Sequence, residues 1–335
     1  MEIKEKKAWP DRVIGNINEI SDRAAMGLPE HYVAPRVTLS NQTLAPFYDQ
    51  SNDLLVSTLR DKENSTEHRL GAGTMLSLKG DDRIKVYEPD MVEIESAKAQ
   101  IGTVFESMDE LYERFKKYGV QRSWVQKEGP RFEYELDAFR IARYPVTNQE
   151  YQAFLEDSEF DEIPTSWQFG YMNILDSNKP VYTVTDRAAT AYTEWLSAKT
   201  GRKFRLPTEY EWEYAAAGEK GYEYPWGNDI QVDACNTMET GLLSTSPIGM
   251  FPQSDSPFGL CDMAGNVEEY VSTHYHAYPG GSIVEDDLYL KLGLYRIARG
   301  GAFNRFIDLA RCQRRHGAYP KSLYAIGFRL AESIT

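Results

Sequence analysis

The chain has 335 residues, of which 41% are hydrophobic, so it is long enough to bury a substantial core and suggests two domains. Its formal net charge of −14 argues against broad nucleic-acid binding, because neutralising phosphates requires a basic face. It has no apolar run of about 18 residues, no apolar stretch behind the charged N-terminus and only three cysteines, so we expect no membrane span, no secretory signal, no disulfide framework and a cytoplasmic location.

Residues 1–90 are expected to form an N-terminal arm followed by a helical hairpin. Apolar residues recur at helical spacing in segments 52–60 and 66–78, and Gly80 follows the second segment. The pair resembles one helical repeat of the HEAT type. Because a single hairpin cannot bury its own apolar face, we expect it to pack on the main domain or on a partner.

Residues 91–335 are expected to form the main domain. In chain order, the pattern predicts a strand at 91–94, an amphipathic helix at 107–118, a strand at 132–141, and helices at 147–155, 185–199 and 208–218. Thr147 with Glu150, and Thr208 with Glu211, have the spacing of capping boxes, which mark helix N-termini. The remaining sequence is rich in Gly, Pro, Asn and Asp, which predicts long structured loops.

Four motifs follow one another along the main domain. They are FRLPTEYEWEYAAAG at 204–218, DMAGNVEE at 262–269, RGGAF at 299–303 and GFRL at 327–330. In this order and spacing they resemble the formylglycine-generating enzyme family, also called the sulfatase-modifying factors, from about residue 91 to the C-terminus. The resemblance implies an α+β fold similar to a C-type lectin, rich in loops, with short sheets and a few helices.

The resemblance also implies calcium sites in the long loops. The matching positions are Asn236, Asp262, Asn266, Val267 and Glu269. Calcium takes six to eight oxygen ligands, which carboxylates, amides and backbone carbonyls in a loop supply. The alternative is that Asn266 and Glu269 hydrogen-bond the loop backbone directly.

Copper chemistry is not expected. The oxidase activity of the resembled family implies two cysteines shortly after the RGG motif, whose thiolates hold a soft Cu(I) ion. Residues 302–311 contain no cysteine, and Cys312 is expected to be a buried small hydrophobe. We therefore predict neither copper binding nor formylglycine generation.

Iron has two candidate locations. The related sulfoxide synthases of ergothioneine-type biosynthesis carry iron on three histidines of an additional N-terminal helical domain, whereas the N-terminal region here offers only His31 and His68, far apart. His274 and His276 are a separate candidate, because residues i and i+2 of a strand share one face. An acid among residues 285–287 would complete a two-histidine, one-carboxylate site for non-haem iron. The alternative is that these histidines are surface or packing residues.

The C-terminal segment is basic in an otherwise acidic chain. Between residues 296 and 321 lie seven Lys or Arg residues and a single acid, Asp308. Arginines and aromatic residues on rigid loops are typical of recognition surfaces. The predicted contact residues are Arg305, Phe306, Arg314 and Tyr324. The alternative is that the arginines pair with carboxylates elsewhere in the fold.

We therefore predict a repurposed, non-enzymatic member of the resembled family. It would be a lectin-like module that binds a protein or a small anionic ligand through the surface of residues 302–326, with no nucleic-acid or membrane partner. One alternative is a non-haem iron oxidoreductase or oxygenase that uses His274 and His276. A further alternative is a binding protein diversified by a retroelement system, because lectin-like domains of this shape are targets of such systems.

Overall fold

The computed structural model describes residues 12–334. Within that range the chain combines helices, short strands and long loops, as the sequence predicts for an α+β fold. The helices are α1 (Asp22–Ala25), α2 (Asn41–Leu44), α3 (Asn52–Arg60), α4 (Thr66–Lys79), α5 (Met108–Phe115), α6 (Arg122–Gln126), α7 (Asn148–Ser158), α8 (Asp186–Thr200), α9 (Glu209–Ala217) and α10 (Asp287–Leu292). The strands are β1 (Met91–Ile94), β2 (Ala97–Ile101), β3 (Phe132–Leu136), β4 (Phe139–Ala142), β5 (Phe204–Arg205), β6 (Glu268–His274), β7 (Arg296–Arg299), β8 (Ile326–Phe328) and β9 (Ala331–Ser333). Over residues 12–334, every helix is too short or too polar to cross a membrane.

Local capping chemistry fixes where the helices begin and end. The hydroxyls of Thr147 and Thr208 accept hydrogen bonds from the backbone N–H groups of Glu150 and Glu211, at the start of α7 and α9. Each glutamate carboxylate accepts in return from the backbone N–H of its threonine, at 2.7 Å in both boxes. Gly201 ends α8 at φ 72°, a left-handed conformation that glycine adopts without strain. Both predicted capping boxes are confirmed.

The strands of the described residues form three sheets. One is antiparallel in the order β1-β4-β9-β5, a second has the order β7-β6-β8 with β6 and β8 parallel, and β2 pairs with β3. The predicted single strand at 132–141 is wrong, because β3 pairs with β2 whereas β4 pairs with β1. An alternating pattern indicates extended backbone but does not identify the partner strand, so the change of sheet after Leu136 leaves no mark in the pattern.

The hairpin of α3 and α4 packs on the main domain, as one of the sequence alternatives predicts. The apolar side chains that join the two parts include Phe47, Leu55, Leu59, Leu76, Leu242, Met250 and Phe251. Arg60 adds an ion pair with Asp255, and the buried Arg69 donates a hydrogen bond to the Met250 carbonyl at 2.7 Å. The apolar face of the hairpin is therefore covered by this chain. A domain boundary at residue 90 stays a prediction.

The predicted amphipathic helix at 107–118 forms as the shorter α5. Met108, Leu111 and Phe115 are buried on one side of it, as their helical spacing predicts. Arg114 lies on another side of α5 and is only partly buried. This side of the helix forms part of a pocket described below.

Buried ion pairs hold the long loops of the C-terminal half. Arg315 donates to both carboxylate oxygens of Glu209, at 2.8 and 2.9 Å, and Arg299 donates to the same carboxylate at 3.2 Å. Arg299 also pairs with Glu213, and all four side chains are buried. Buried charges persist only when they are paired and hydrogen-bonded, so these contacts position the loops that carry them.

Candidate functional site

The connection between α7 and α8, residues 159–185, is long and mostly irregular, with two short 3-10 turns. Loops of this length in compact domains usually carry function. Its middle is fixed by side chains, because Trp167 Nε1 donates to Asn148 Oδ1 at 2.7 Å and the Ser166 backbone N–H donates to Thr183 Oγ1 at 2.8 Å. The loop is therefore held against the start of α7.

A cleft of about 630 Å³ lies beside this loop, within the size range of ligand pockets. We call it the aromatic cleft. Its aromatic lining residues are Trp167, Phe169, Tyr171 and Tyr182. Its polar lining residues include Asn148, Ser166, Asn173, Asp176, Ser244 and Thr245. Rings for apolar contact and amides and hydroxyls for hydrogen bonding thus meet in one concave surface.

Two of these aromatic residues are unusually exposed to solvent. Phe169 is 97% exposed and Tyr171 is 73% exposed, although large apolar groups normally avoid water. A second pocket of about 370 Å³ shares Trp167 and Tyr171 with the aromatic cleft. The two pockets therefore adjoin at Trp167 and Tyr171, and we call them together the groove.

Backbone strain is concentrated at the aromatic cleft. Phe169, Thr183 and Leu243 have φ of 57°, 59° and 55°, in the left-handed region that bulky and β-branched residues rarely adopt. Such residues cost of the order of 1–3 kcal/mol each and cluster at ligand sites. Phe169 lines the cleft, while Thr183 and Leu243 directly adjoin the lining residues Tyr182 and Ser244. The strain supports a functional role for this loop.

The charge of the groove is negative. Asp176 lines the aromatic cleft and Glu156 lines the second pocket, and none of the described residues lining either pocket is Lys or Arg. Lys179 pairs with Asp176 at 2.6 Å from outside the lining. Burial raises the pKa of Tyr182, so its hydroxyl stays protonated. The groove therefore suits neutral or cationic groups.

The structure contradicts the predicted exposed contact surface. The exposed fractions are only 5%, 4%, 1% and 6% for Arg305, Phe306, Arg314 and Tyr324. The Phe306 ring stacks on Tyr118 with centroids 4.7 Å apart, and the Arg305 guanidinium lies 5.6 Å from the centre of the Tyr324 ring. Arginines and aromatic residues also pack together in a core, so their composition does not by itself indicate a surface.

The alternative prediction for the basic segment is confirmed for most of its arginines, which pair with carboxylates from distant parts of the chain, whereas Arg305 forms no ion pair among the described residues. Arg311 donates to both oxygens of Glu128, at 2.8 and 2.6 Å. Arg296 pairs with Asp186 at 3.2 Å. Arg299 and Arg315 pair as described above. The positive charge of this segment is thus largely neutralised inside the protein.

The predicted calcium residues have hydrogen-bond or ion-pair partners within the protein. Asn266 Oδ1 and Asp262 Oδ2 accept hydrogen bonds from loop N–H groups at 2.9 and 2.6 Å. Glu269 binds Arg329 through both carboxylate oxygens, each at 2.6 Å. Asn236 donates to a loop carbonyl at 3.0 Å, and Val267 is buried. Within residues 12–334, no group of three or more His, Cys, Asp or Glu side chains is placed to hold a metal ion. Calcium stays a prediction.

The predicted iron residues do not meet. His274 is exposed, while His276 Nε2 lies 2.9 Å from the Tyr210 hydroxyl. Of the three candidate acids, Glu285 is exposed, Asp286 pairs with Lys127 at 2.5 Å, and Asp287 accepts hydrogen bonds from other side chains. The described contacts therefore match the alternative in which the histidines are surface and packing residues.

The cysteines are all buried, and none forms a disulfide with another described residue. Cys312 has no exposed surface, as predicted, and burial raises the pKa of its thiol well above the ordinary value. Soft metals bind the thiolate, so this environment does not favour copper at Cys312.

Sequence reasoning missed the aromatic cleft. A usable signal was present, because the long aperiodic stretch between two helix-like segments contains Trp167, Phe169 and Tyr171 outside the four motifs. Aromatic side chains at alternate positions of an otherwise polar loop indicate a contact surface more directly than the basic segment does.

Comparison with known proteins places the chain among relatives of varied activity. A family model described as a sulfatase-modifying factor enzyme 1-like domain matches residues 81–334. Hercynine oxygenase of Mycolicibacterium thermoresistibile is 29% identical over 245 residues, covering 62% of this chain and 53% of that protein. The chain thus spans about half the length of this relative. Inactive C-alpha-formylglycine-generating enzyme 2 of Bos taurus is 29% identical, covering 61% of this chain and 80% of that protein.

A solved structure shows the same fold. PvdO from Pseudomonas aeruginosa matches with a TM-score of 0.57 and 25% identity, covering 75% of this chain and 97% of that one. The family model spans well over half of the chain, and the four sequence motifs lie inside the matched residues. The chain therefore belongs to the family of proteins with a sulfatase-modifying factor enzyme 1-like domain.

Proposed function

We propose that this chain is a binding member of its family and that its ligand site is the aromatic cleft, not the surface of residues 302–326. The observation that carries the proposal is the pair of exposed aromatic side chains, Phe169 and Tyr171, on a loop whose middle is fixed by hydrogen bonds. Aromatic rings exposed on a rigid support provide contact area at low entropic cost, which is what recognition surfaces require.

The proposed occupant is an extended peptide segment of a partner protein. The second pocket adjoins the aromatic cleft at Trp167 and Tyr171, so a ligand long enough to reach both pockets would contact more of the lining than a compact one. The Gln168 amide and the Thr245 hydroxyl also line the cleft and can pair with the hydrogen-bonding groups of a peptide backbone. Glu156 favours a neutral or basic segment over an acidic one, since Asp176 is already paired with Lys179.

Two observations support binding without formylglycine generation. Residues 302–311 lack the cysteine pair expected for copper chemistry. The relative from Bos taurus, which covers 61% of this chain, carries the word inactive in its name. A binding role fits both.

The proposal is tested by selecting short random peptides on the wild-type protein and measuring the affinity of the enriched sequences. Tyr171→Ala is expected to weaken their binding by about tenfold or more, since an aromatic anchor contributes roughly 2 kcal/mol. The matched control is Tyr32→Ala, because Tyr32 is 82% exposed and lies outside the groove. Failure to enrich any sequence, or equal binding to Tyr171→Ala, would refute the proposal.

A second candidate function is an iron-dependent oxygenase, which the likeness to hercynine oxygenase favours. Its test is the metal content of protein purified without chelator. Stoichiometric iron that is lost in His276→Ala would favour this candidate, whereas a metal-free protein that still binds peptides would favour the binding role.

A further inference from the structure

A basic pocket of about 360 Å³ shares no lining residue with the aromatic cleft. It lies between α5, the loop that follows α9, and segment 311–313. Its charged lining residues are Arg114, Arg131, Lys220, Arg311, Glu110 and Glu223. Four cations thus face two carboxylates, in a chain whose net charge is −14.

The cations of the basic pocket fall into two pairs. Arg311 and Arg114 are neutralised within the protein, by Glu128 and Glu223. Arg131 and Lys220 are different, because neither forms an ion pair with any residue in 12–334. Arg131 Nε donates to a backbone carbonyl at 3.1 Å, and the Lys220 ammonium lies 5.7 Å from the centre of a tyrosine ring. Because Glu110 is the one lining carboxylate left outside these pairs, Arg131 and Lys220 leave a net positive charge at the pocket.

Two buried donors of the same pocket also lack acceptors. The Nε–H groups of Arg114 and Arg311 are buried, and neither has a hydrogen-bond partner among the described residues. The Arg311 side chain is only 1% exposed, and its Nε lies 3.8 Å from Glu223 Oε1, beyond hydrogen-bond distance. These two atoms lie in the wall of the pocket and are too deeply buried to contact a ligand that occupies it.

The walls of the basic pocket are tied together before any ligand binds. The Cys312 backbone N–H donates to the Glu223 carbonyl at 2.7 Å, and Gln313 Nε2 donates to the Tyr222 carbonyl at 2.9 Å. These bonds join segment 311–313 to the loop after α9. A site whose walls are already fixed loses little entropy on binding.

We propose that the basic pocket binds a small molecule through an oxyanion group, a phosphate or a carboxylate, which contacts Arg131 and Lys220. The arginine fork and the ammonium both bind such groups by charge-assisted hydrogen bonds. The volume of the pocket admits a ligand larger than the oxyanion itself. This site is independent of the peptide groove.

The test is calorimetric titration of the full chain with inorganic phosphate and, separately, with succinate, at low and at high salt. Arg131→Gln and Lys220→Gln remove one charge each at exposed positions, so folding is expected to be unchanged. Each is expected to raise the Kd by about tenfold, as loss of one charge-assisted contact does. High salt is expected to weaken binding by the wild-type protein.

The controls separate this site from general surface charge and from the groove. Lys98→Gln removes an exposed charge outside the pocket, and Tyr171→Ala alters the groove; both should bind the oxyanion as the wild type does. Preference for phosphate or for succinate identifies which oxyanion the site takes. Absence of binding for both probes, or equal weakening by Lys98→Gln, would overturn the proposal.

Discussion

Glu209 shows how one buried carboxylate holds two loops in place. It lies between Arg299 and Arg315 and has no exposed surface. Burial alone would raise its pKa, but Arg315 and Arg299 outweigh burial, and its pKa is lowered. The carboxylate is therefore ionised; it is the ion-pair partner of Arg315 and shares Arg299 with Glu213.

Glu209→Gln keeps the shape of the side chain but removes its charge. Because two buried arginines then lose their shared counter-charge, we expect the free energy of unfolding to fall by about 3–5 kcal/mol in urea titrations. The control is Glu135→Gln, whose partner Lys98 is exposed, with an expected change of about 0–1 kcal/mol. Equal stability of the two variants would contradict this account.

Asp308 predicts a specific dependence of stability on pH. Burial raises its pKa from 3.8 to about 6, despite the nearby Arg314 and Arg305. The folded state thus binds this proton more tightly than the unfolded chain does. As the pH falls through 6, protonation stabilises the fold, and that stabilisation is lost again as the pH rises above 6.

We expect the wild type to gain about 2 kcal/mol of unfolding free energy relative to Asp308→Asn between about pH 7 and about pH 4. Comparing the two proteins in urea titrations at each pH cancels groups that both contain, such as His316, whose pKa is lowered to about 4 chiefly by burial. A difference between the proteins that does not change with pH would refute the assignment.

At the level of single residues, the sequence predicted which charged side chains form ion pairs better than it predicted which side chains are exposed to solvent. That the C-terminal arginines need carboxylate partners follows from charge alone, and Arg311 with Glu128 is an example. That Arg305 and Tyr324 lie inside does not follow, because their burial depends on which distant residues cover them. The aromatic cleft was missed for the same reason, since it joins the loop of Trp167 to residues near Ser244.

Among the elements, the longer helices were predictable, whereas the short helices α1, α2, α6 and α10 and the strand partners were not. A capping box such as Thr147 with Glu150 places a helix start within four residues of sequence. The sheet that contains β4 unites strands separated by nearly the whole main domain, since β4 pairs with both β1 and β9. The sequence around Phe139 does not indicate that β4 pairs with β1 and β9.

The packing of α4 on the main domain can be tested at Gly73. A Cβ atom there would lie 2.6 Å from the side chain of Pro247, which is closer than packed atoms approach. We expect Gly73→Ala to lower the free energy of unfolding by about 1 kcal/mol or more, although alanine itself favours helices by about 1 kcal/mol. The measurement is urea unfolding, together with protease sensitivity of the α3–α4 hairpin.

Ser57→Ala is the control for this substitution, because Ser57 lies on the exposed side of α3. It should leave both stability and protease sensitivity unchanged. If Gly73→Ala behaved in the same way, the close contact between α4 and Pro247 would be wrong.

For the molecule as a whole, the calcium prediction has a direct test. Asn266, Asp262 and Glu269 already have partners in the protein, so the loops are expected to hold without the ion. We therefore expect EGTA to leave the melting temperature unchanged, since removing a ligand lowers it only if that ligand binds the native state. A fall in Tm that added calcium reverses would instead establish a calcium site.

The buried pairs of the C-terminal half also constrain how the chain folds during synthesis. Glu128 cannot form its ion pair until Arg311, 183 residues later, has been synthesised. Glu209 likewise cannot pair with Arg315 until a further 106 residues have been added. Strand β9, the last element described, fills the position between β4 and β5. Until β9 emerges from the ribosome, the nascent chain carries an open sheet edge, which favours chaperone binding. These parts of the fold therefore become complete only after residues 311–333 have been synthesised.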